Sequence, residues 1–152
     1  MAGFFIMDIY RKKMEIRWAD LDPNFHMRHS NYYDLGAQMR ISVFSALGIT
    51  SLAMRKYHIG PILLREECVF RREILMGDEV EIDIRLLKAR HDGSRWTMQH
   101  HLYKNGDQLS AVITIDGAWM DLEKRKLAPI PEEFKNLFLE MPRSEDFEWS
   151  DK

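Results

Sequence analysis

Between Asp20 and Asn31 the chain crowds Asp20, Asp22, Asn24, His26, His29 and Asn31 into one short stretch, RWADLDPNFHMRHSN. A turn needs only Asp22, Pro23 and Asn24, so the histidines are extra chemistry. A carboxylate can activate water or attack an acyl carbon, and an imidazole can move a proton or orient the reacting group. If a helix starts directly after the cluster, its free N-terminal amides can hold a developing oxyanion. Aspartate beside such a terminus suffices to hydrolyse a thioester, because a thiolate leaves readily and no metal is needed. Metal binding is not expected: His26 and His29 lack a further ligand at recognisable spacing, and His100 and His101 are strand neighbours that face opposite ways. The competing reading is structural, with the acids and amides serving turns and caps and the histidines bonding to backbone.

The elements around the cluster follow from periodicity. From Lys12 to Trp18, Met14, Ile16 and Trp18 alternate with Lys13, Glu15 and Arg17, as in a half-buried strand. Beyond the cluster, Tyr32, Leu35, Gly36, Met39, Val43, Ala46 and Leu47 form one helical face that ends at Gly48, with Ser30 or Asn31 as its cap. A short second helix over Ser51 to Tyr57 stops before Gly60 and Pro61. Strands then follow: Val80, Ile82, Ile84 and Leu86 alternate with charges, Trp96, Met98 and Leu102 resume after RHDGS, and Leu109 to Trp119 form a last long run. Asn105 and Gly106 mark a tight hairpin. A short helix is expected around Pro131 to Leu139, and residues 141–152 read as an acidic, mobile tail after a single domain over 1–140. One long helix cannot cover both faces of such a sheet. An open face or edge is therefore expected to be buried by a second copy, giving a homo-oligomer.

With 152 residues, 45% of them hydrophobic, the chain can build one core. A formal charge of −2 gives no reason to expect nucleic acid or an anionic membrane as partner. A single cysteine, Cys68, excludes an internal disulfide and a cysteine-based zinc site and suits a reducing, cytoplasmic setting. The apolar FFIM near the start lacks a basic flank and a cleavage pattern, so no signal peptide is expected. No run approaches the ~20 apolar residues of a membrane span.

RWADLDPNFHMRHSNYYD, followed by a long helix and later strands, resembles the hotdog-fold thioesterases, in particular the hydroxybenzoyl-CoA thioesterase group and the acyl-carrier-protein (ACP) thioesterases. The resemblance runs from about Lys13 to Leu127. It implies an α+β fold in which an antiparallel sheet wraps one long central helix, with the site at the interface of a dimer or tetramer. It also implies that Asp22 acts as nucleophile or general base, that Asn24 and His26 match an asparagine-x-histidine pair, that His29 orients the thioester or water, and that Tyr32 is the common aromatic of the helix start. The chain departs from many bacterial members at Asn24 and Phe25, where they carry glycines, and at Arg28.

By the same analogy Glu67 is a candidate assisting acid, although charges on the strand around Arg65, Glu66 and Glu67 also serve to keep an edge soluble. Arg71 and Arg72, with Arg85, Lys88, Arg90 and Arg95, are cations that could meet coenzyme A phosphates. Met39 and Met98 sit at core spacing. The expectation is an acyl-CoA or acyl-ACP thioesterase without cofactor or metal. Its rivals are a hotdog enoyl-CoA hydratase or dehydratase, against which the spacing of Asp20 and Asp22 to His26 argues, and a non-catalytic acyl-binding protein of the same fold.

Overall fold

The apolar stripe read after the cluster becomes the buried face of α1 (His29–Ala46) in the computed structural model, which describes residues 9–151. Asn31, Tyr32, Leu35, Gly36, Met39, Arg40, Val43 and Phe44 are its buried residues, spaced so that each turn presents a pair to the sheet. Ala46, expected on that face, is exposed, whereas Leu47 is buried. Gly48 ends the helix as expected: with φ at +90° it lets its own N–H reach Ser45 C=O and the Ile49 N–H reach Phe44 C=O. The N-terminus differs from expectation. Arg28 occupies the cap position without a side-chain cap, and Ser30 and Asn31 lie inside the first turn.

The sheet wraps this helix. β3 (Val80–Asp83) and β4 (Arg85–Ala89) run end to end along β5 (Arg95–Lys104), β5 pairs on its other side with β6 (Gln108–Asp121), and β6 pairs with β2 (Ile59–Phe70), all antiparallel. Asn105 and Gly106 both take positive φ and turn β5 into β6, as their types require. α2 (Ser51–Tyr57) leads into β2 and is capped by Thr50, whose hydroxyl accepts from Ala53 N–H at 3.2 Å. β7 (Lys126–Leu127) folds back on the end of β6, and α3 (Glu132–Leu139) packs Phe134 and Phe138 into the core. Phe44, Trp119 and Phe138 meet there as an aromatic cluster, and Met39 and Met98 are fully buried packing residues. This is the α+β hotdog arrangement.

Two edges of the sheet are treated differently. Along the β3/β4 edge, β1 (Arg11–Met14) pairs antiparallel with β3, and β8 (Arg143–Trp149) pairs parallel with β4. Along the other, β2 has β6 as its sole partner among the described residues. The segment read as a mobile tail thus contains a strand, held further by stacking of His91 on Trp149 at 4.0 Å and by the Asp151 carboxylate on His91 Nδ1 at 2.8 Å. The strand expected over Lys12 to Trp18 is shorter than its alternation suggests. The Asp20 carboxylate captures the Arg17 N–H at 2.9 Å and pulls Trp18–Asp20 into a 3-10 turn, leaving Trp18 69% exposed. The FFIM run lies outside the described residues, and among these no helix is long and apolar enough to cross a membrane.

A buried polar contact crosses the helix–sheet interface. Arg40 reaches His100 Nε2 at 3.0 Å, while His100 Nδ1 donates to Asp83 C=O at 2.8 Å. Burial holds this imidazole down at about 3, so Nε2 keeps its lone pair and accepts from the guanidinium. The paired histidines face opposite ways as strand neighbours should: His101 lies on the outer face with Gln99 and Tyr103.

Candidate active site

The loop that carries the cluster is a small hairpin. Leu21 bridges Met27, the Asp22 N–H donates to His26 C=O at 2.8 Å, and the Phe25 N–H donates to Asp22 C=O at 3.0 Å. Pro23 and Asn24 form the turn, and Phe25 follows with φ at +63°, a left-handed position usually given to glycine. Such a residue stores strain, which is tolerated where the surroundings over-determine the chain.

The two aspartates are sorted by this geometry. Asp20 is 2% exposed, and Arg17 Nη2 and the Arg17 N–H donate to its two oxygens at 2.8 and 2.9 Å. The hydrogen bond from Arg17 holds its carboxyl below the usual range. The Arg28 N–H closes the hairpin onto Asp20 C=O, so Asp20 is a fastening of the loop. Asp22 instead commits one oxygen, Oδ1, to the N–H groups of Asn24 and His26 at 2.8 and 3.1 Å. Its orientation is thereby set, and Oδ2 makes no hydrogen bond among the described residues.

Asp22 opens on a cleft of about 360 Å³ that His26, His29 and Tyr32 line with it. The far wall comes from the end of β2 and the segment after it, with Phe70, Arg71, Arg72 and Glu73. Tyr32 is buried edge-on against Phe70 at 4.8 Å, and burial pushes its hydroxyl up to about 12, so it stays neutral. Arg71 and Arg72 anchor through their backbone N–H groups to Ser110 C=O, and neither guanidinium has an ion-pair partner among the described residues. The uncapped start of α1 leaves first-turn amides beside His29 for a ligand. Cys68 does not line the cleft, and burial pushes its thiol up to about 11.

Arg85, Lys88, Arg90 and Arg95, named in the sequence as cations, do not line this cleft, and neither do Asn24 and Glu67. Asn24 is exposed and contributes its backbone N–H to Asp22, with its side chain outside the lining. Glu67 lies on the outer face of β2, where Arg65 donates to it at 2.5 Å; a register shift between Leu63 and Arg65 sets which residues face inward. The acid on the inner face is Glu66, 4.0 Å from Arg40. Glu73 and Phe70 line the cleft without any sequence signal, since strand pairing brings them in from far along the chain. Among the described residues no three His, Cys, Asp or Glu side chains lie together so as to hold a metal ion.

Comparison with known proteins agrees with this architecture. A Staphylococcus aureus protein, SAV2348, described in complex with CoA, matches at 15% identity over 86% of this chain and 81% of its own, with a TM-score of 0.80. A 1,4-dihydroxy-2-naphthoyl-CoA thioesterase from Synechocystis, Slr0204, matches at 15% identity over 86% of this chain and 96% of its own, with a TM-score of 0.76. A Thermus thermophilus thioesterase complexed with coenzyme A and Zn is 26% identical over 84% of this chain and 90% of its own, with a TM-score of 0.67. No curated protein matches the chain. Residues 16–138, a span that holds the hairpin, α1 and the sheet through α3, match the pattern of the thioesterase-like superfamily, and the chain belongs to that superfamily.

Proposed function

We propose that the protein is a cytoplasmic thioesterase that hydrolyses acyl-CoA or acyl-ACP thioesters to acid and thiol. The observation that carries this reading is Asp22: one carboxylate oxygen is pinned by the loop, and the residue lines a cleft beside an uncapped helix N-terminus. In this reading Asp22 activates water or attacks the acyl carbon, and His26 and His29 position the thioester or the water. Amides of the first turn of α1 stabilise the oxyanion. Arg71 and Arg72, without an ion-pair partner among the described residues, meet the phosphates of the carrier, and Tyr32 forms the wall beside the acyl group. The carriers named for structural relatives, which include CoA, support the same substrate class.

The functional unit in this proposal is a homo-oligomer joined through the open edge of β2. Leu63, Leu64, Val69 and Phe70 are each about half exposed on that strand. Antiparallel pairing of two copies about Glu66 sets Arg65 opposite the partner's Glu67, so the edge is complementary to itself in charge.

Thiol release from short-chain, long-chain and aromatic acyl-CoAs, and then from acyl-ACPs, tests the reading. Hydrolysis is expected in the wild type, with a loss of ~1000-fold in kcat for Asp22→Asn at unchanged melting temperature. Normal turnover in a folded Asp22→Asn variant would remove Asp22 from the chemistry. Silence of the wild type across both carriers would leave a binding protein instead.

A further inference from the structure

Glu73 is tied to the cluster by more than proximity. The segment after β2 is laced to the hairpin by its backbone: the Met27 N–H donates to Ile74 C=O at 2.7 Å, the Met76 N–H donates to Phe25 C=O at 3.3 Å, and His26 stands opposite Leu75. Lys104 Nζ grips Glu73 C=O at 2.7 Å, and the Leu75 N–H is held by the Asp78 carboxylate at 2.8 Å. Because His26 faces Leu75, strand alternation puts Glu73 on the same face as His26, one diagonal step away. Its Oε2 lies 3.3 Å from His26 Nε2. The backbone beneath the pair is therefore fixed by a ladder with anchors on both sides, while the two side chains themselves are 37% and 57% exposed.

We infer that Glu73 is a positioning residue for His26: its carboxylate accepts the Nε2–H, fixes the tautomer and rotation of the ring, and leaves the Nδ1 lone pair for a water or the thioester group at Asp22. A carboxylate can only accept, so the proton shared in this contact is one carried by Nε2. The role in turnover rests on the thioesterase reading, whereas the contact itself does not. Asp22, His29, Tyr32, Arg71 and Arg72 are the other titratable or charged side chains lining the cleft with this pair.

Two measurements separate these levels. Long-range 1H–15N spectra of histidine-labelled protein, with His26 assigned from His26→Ala, report the tautomer without any substrate. A pure Nε2–H form is expected in the wild type, averaged nitrogen shifts in Glu73→Ala, and recovery of the pure form in Glu73→Gln, whose amide oxygen still accepts. In turnover, Glu73→Ala is expected to lower kcat ~10- to 100-fold with KM changed less than about twofold, and to cost nothing further in a His26→Ala background. Glu73→Gln is expected to recover part of the loss. Identical His26 shifts in the wild type and Glu73→Ala would overturn the inference, as would an equal loss of kcat from Glu73→Ala with and without His26. A wild type that hydrolyses no thioester would remove the thioesterase reading, and the nitrogen shifts would still decide whether Glu73 sets the ring.

Discussion

At the scale of single residues, the hairpin uses two aspartates two positions apart for different ends. Asp20 is sealed against Arg17 and Asp22 is turned to the cleft, although the sequence gives them the same type and nearly the same neighbours. The depressed pKa of Asp20 has a definite sign in stability. Its contribution is complete above the unfolded aspartate value of ~3.9 and is lost as pH falls through the lower folded value. Asp20→Asn is accordingly expected to lower Tm by several degrees at pH 7, with the difference from the wild type narrowing below about pH 4. Calorimetry across that range checks it, and a gap that stays constant down to pH 2 would place the effect in packing. The identity of the cluster was legible in the sequence because its residues are contiguous. That Asp22 rather than Asp20 faces the cleft was indicated by the family resemblance alone, since the residues themselves do not show the carboxylate of Asp20 finding the Arg17 N–H or a left-handed Phe25.

At the scale of elements, local periodicity located α1, α2, α3 and the long strands, and the positive-φ pair at Asn105 and Gly106 announced its hairpin. The shortened β1 has a local cause in the bond from Arg17 to Asp20, whereas two other misses share pairing at long range. β8 is acidic and aromatic, and nothing in FEW signals a parallel partner in β4 some fifty residues earlier. Glu67 was placed by analogy, but the face it occupies follows from a register shift in β2 that the residues on either side do not betray. Packing between β5 and β6 offers a sharper test of register. Gly117 lies opposite Trp96, and a Cβ there would come within 2.2 Å of the buried indole ring. Gly117→Ala is expected to destabilise the fold by ~2–3 kcal/mol, because the added methyl overlaps a rigid ring that is only 3% exposed. Denaturant unfolding measures this, and trimming the ring in Gly117→Ala/Trp96→Leu should return part of the loss. An unchanged midpoint in the single variant would mean that the two strands are not registered in this way.

At the scale of the molecule, the proposed oligomer makes its own demand on β2. Leu64→Lys/Val69→Lys puts two ammonium groups on the open edge without touching the core, so the variant should fold while its self-association weakens at least ~10-fold. Sedimentation equilibrium distinguishes this from a wild type that is already monomeric at tens of micromolar, which would defeat the shared-edge proposal.

The β3/β4 edge has a consequence for growth. Among the described residues β1 and β8 cover it with short strands of four and seven residues, whereas β2 leaves twelve residues of open edge on the other side. In the vocabulary of polymer chemistry, a chain that joins its copies through β2 alone, as proposed, is monofunctional. Two such ends consume each other, and strand addition stops at the pair, whereas a sheet open at both edges would propagate into a fibre. Stripping β8 from β4 would convert a chain stopper into a monomer with two live ends.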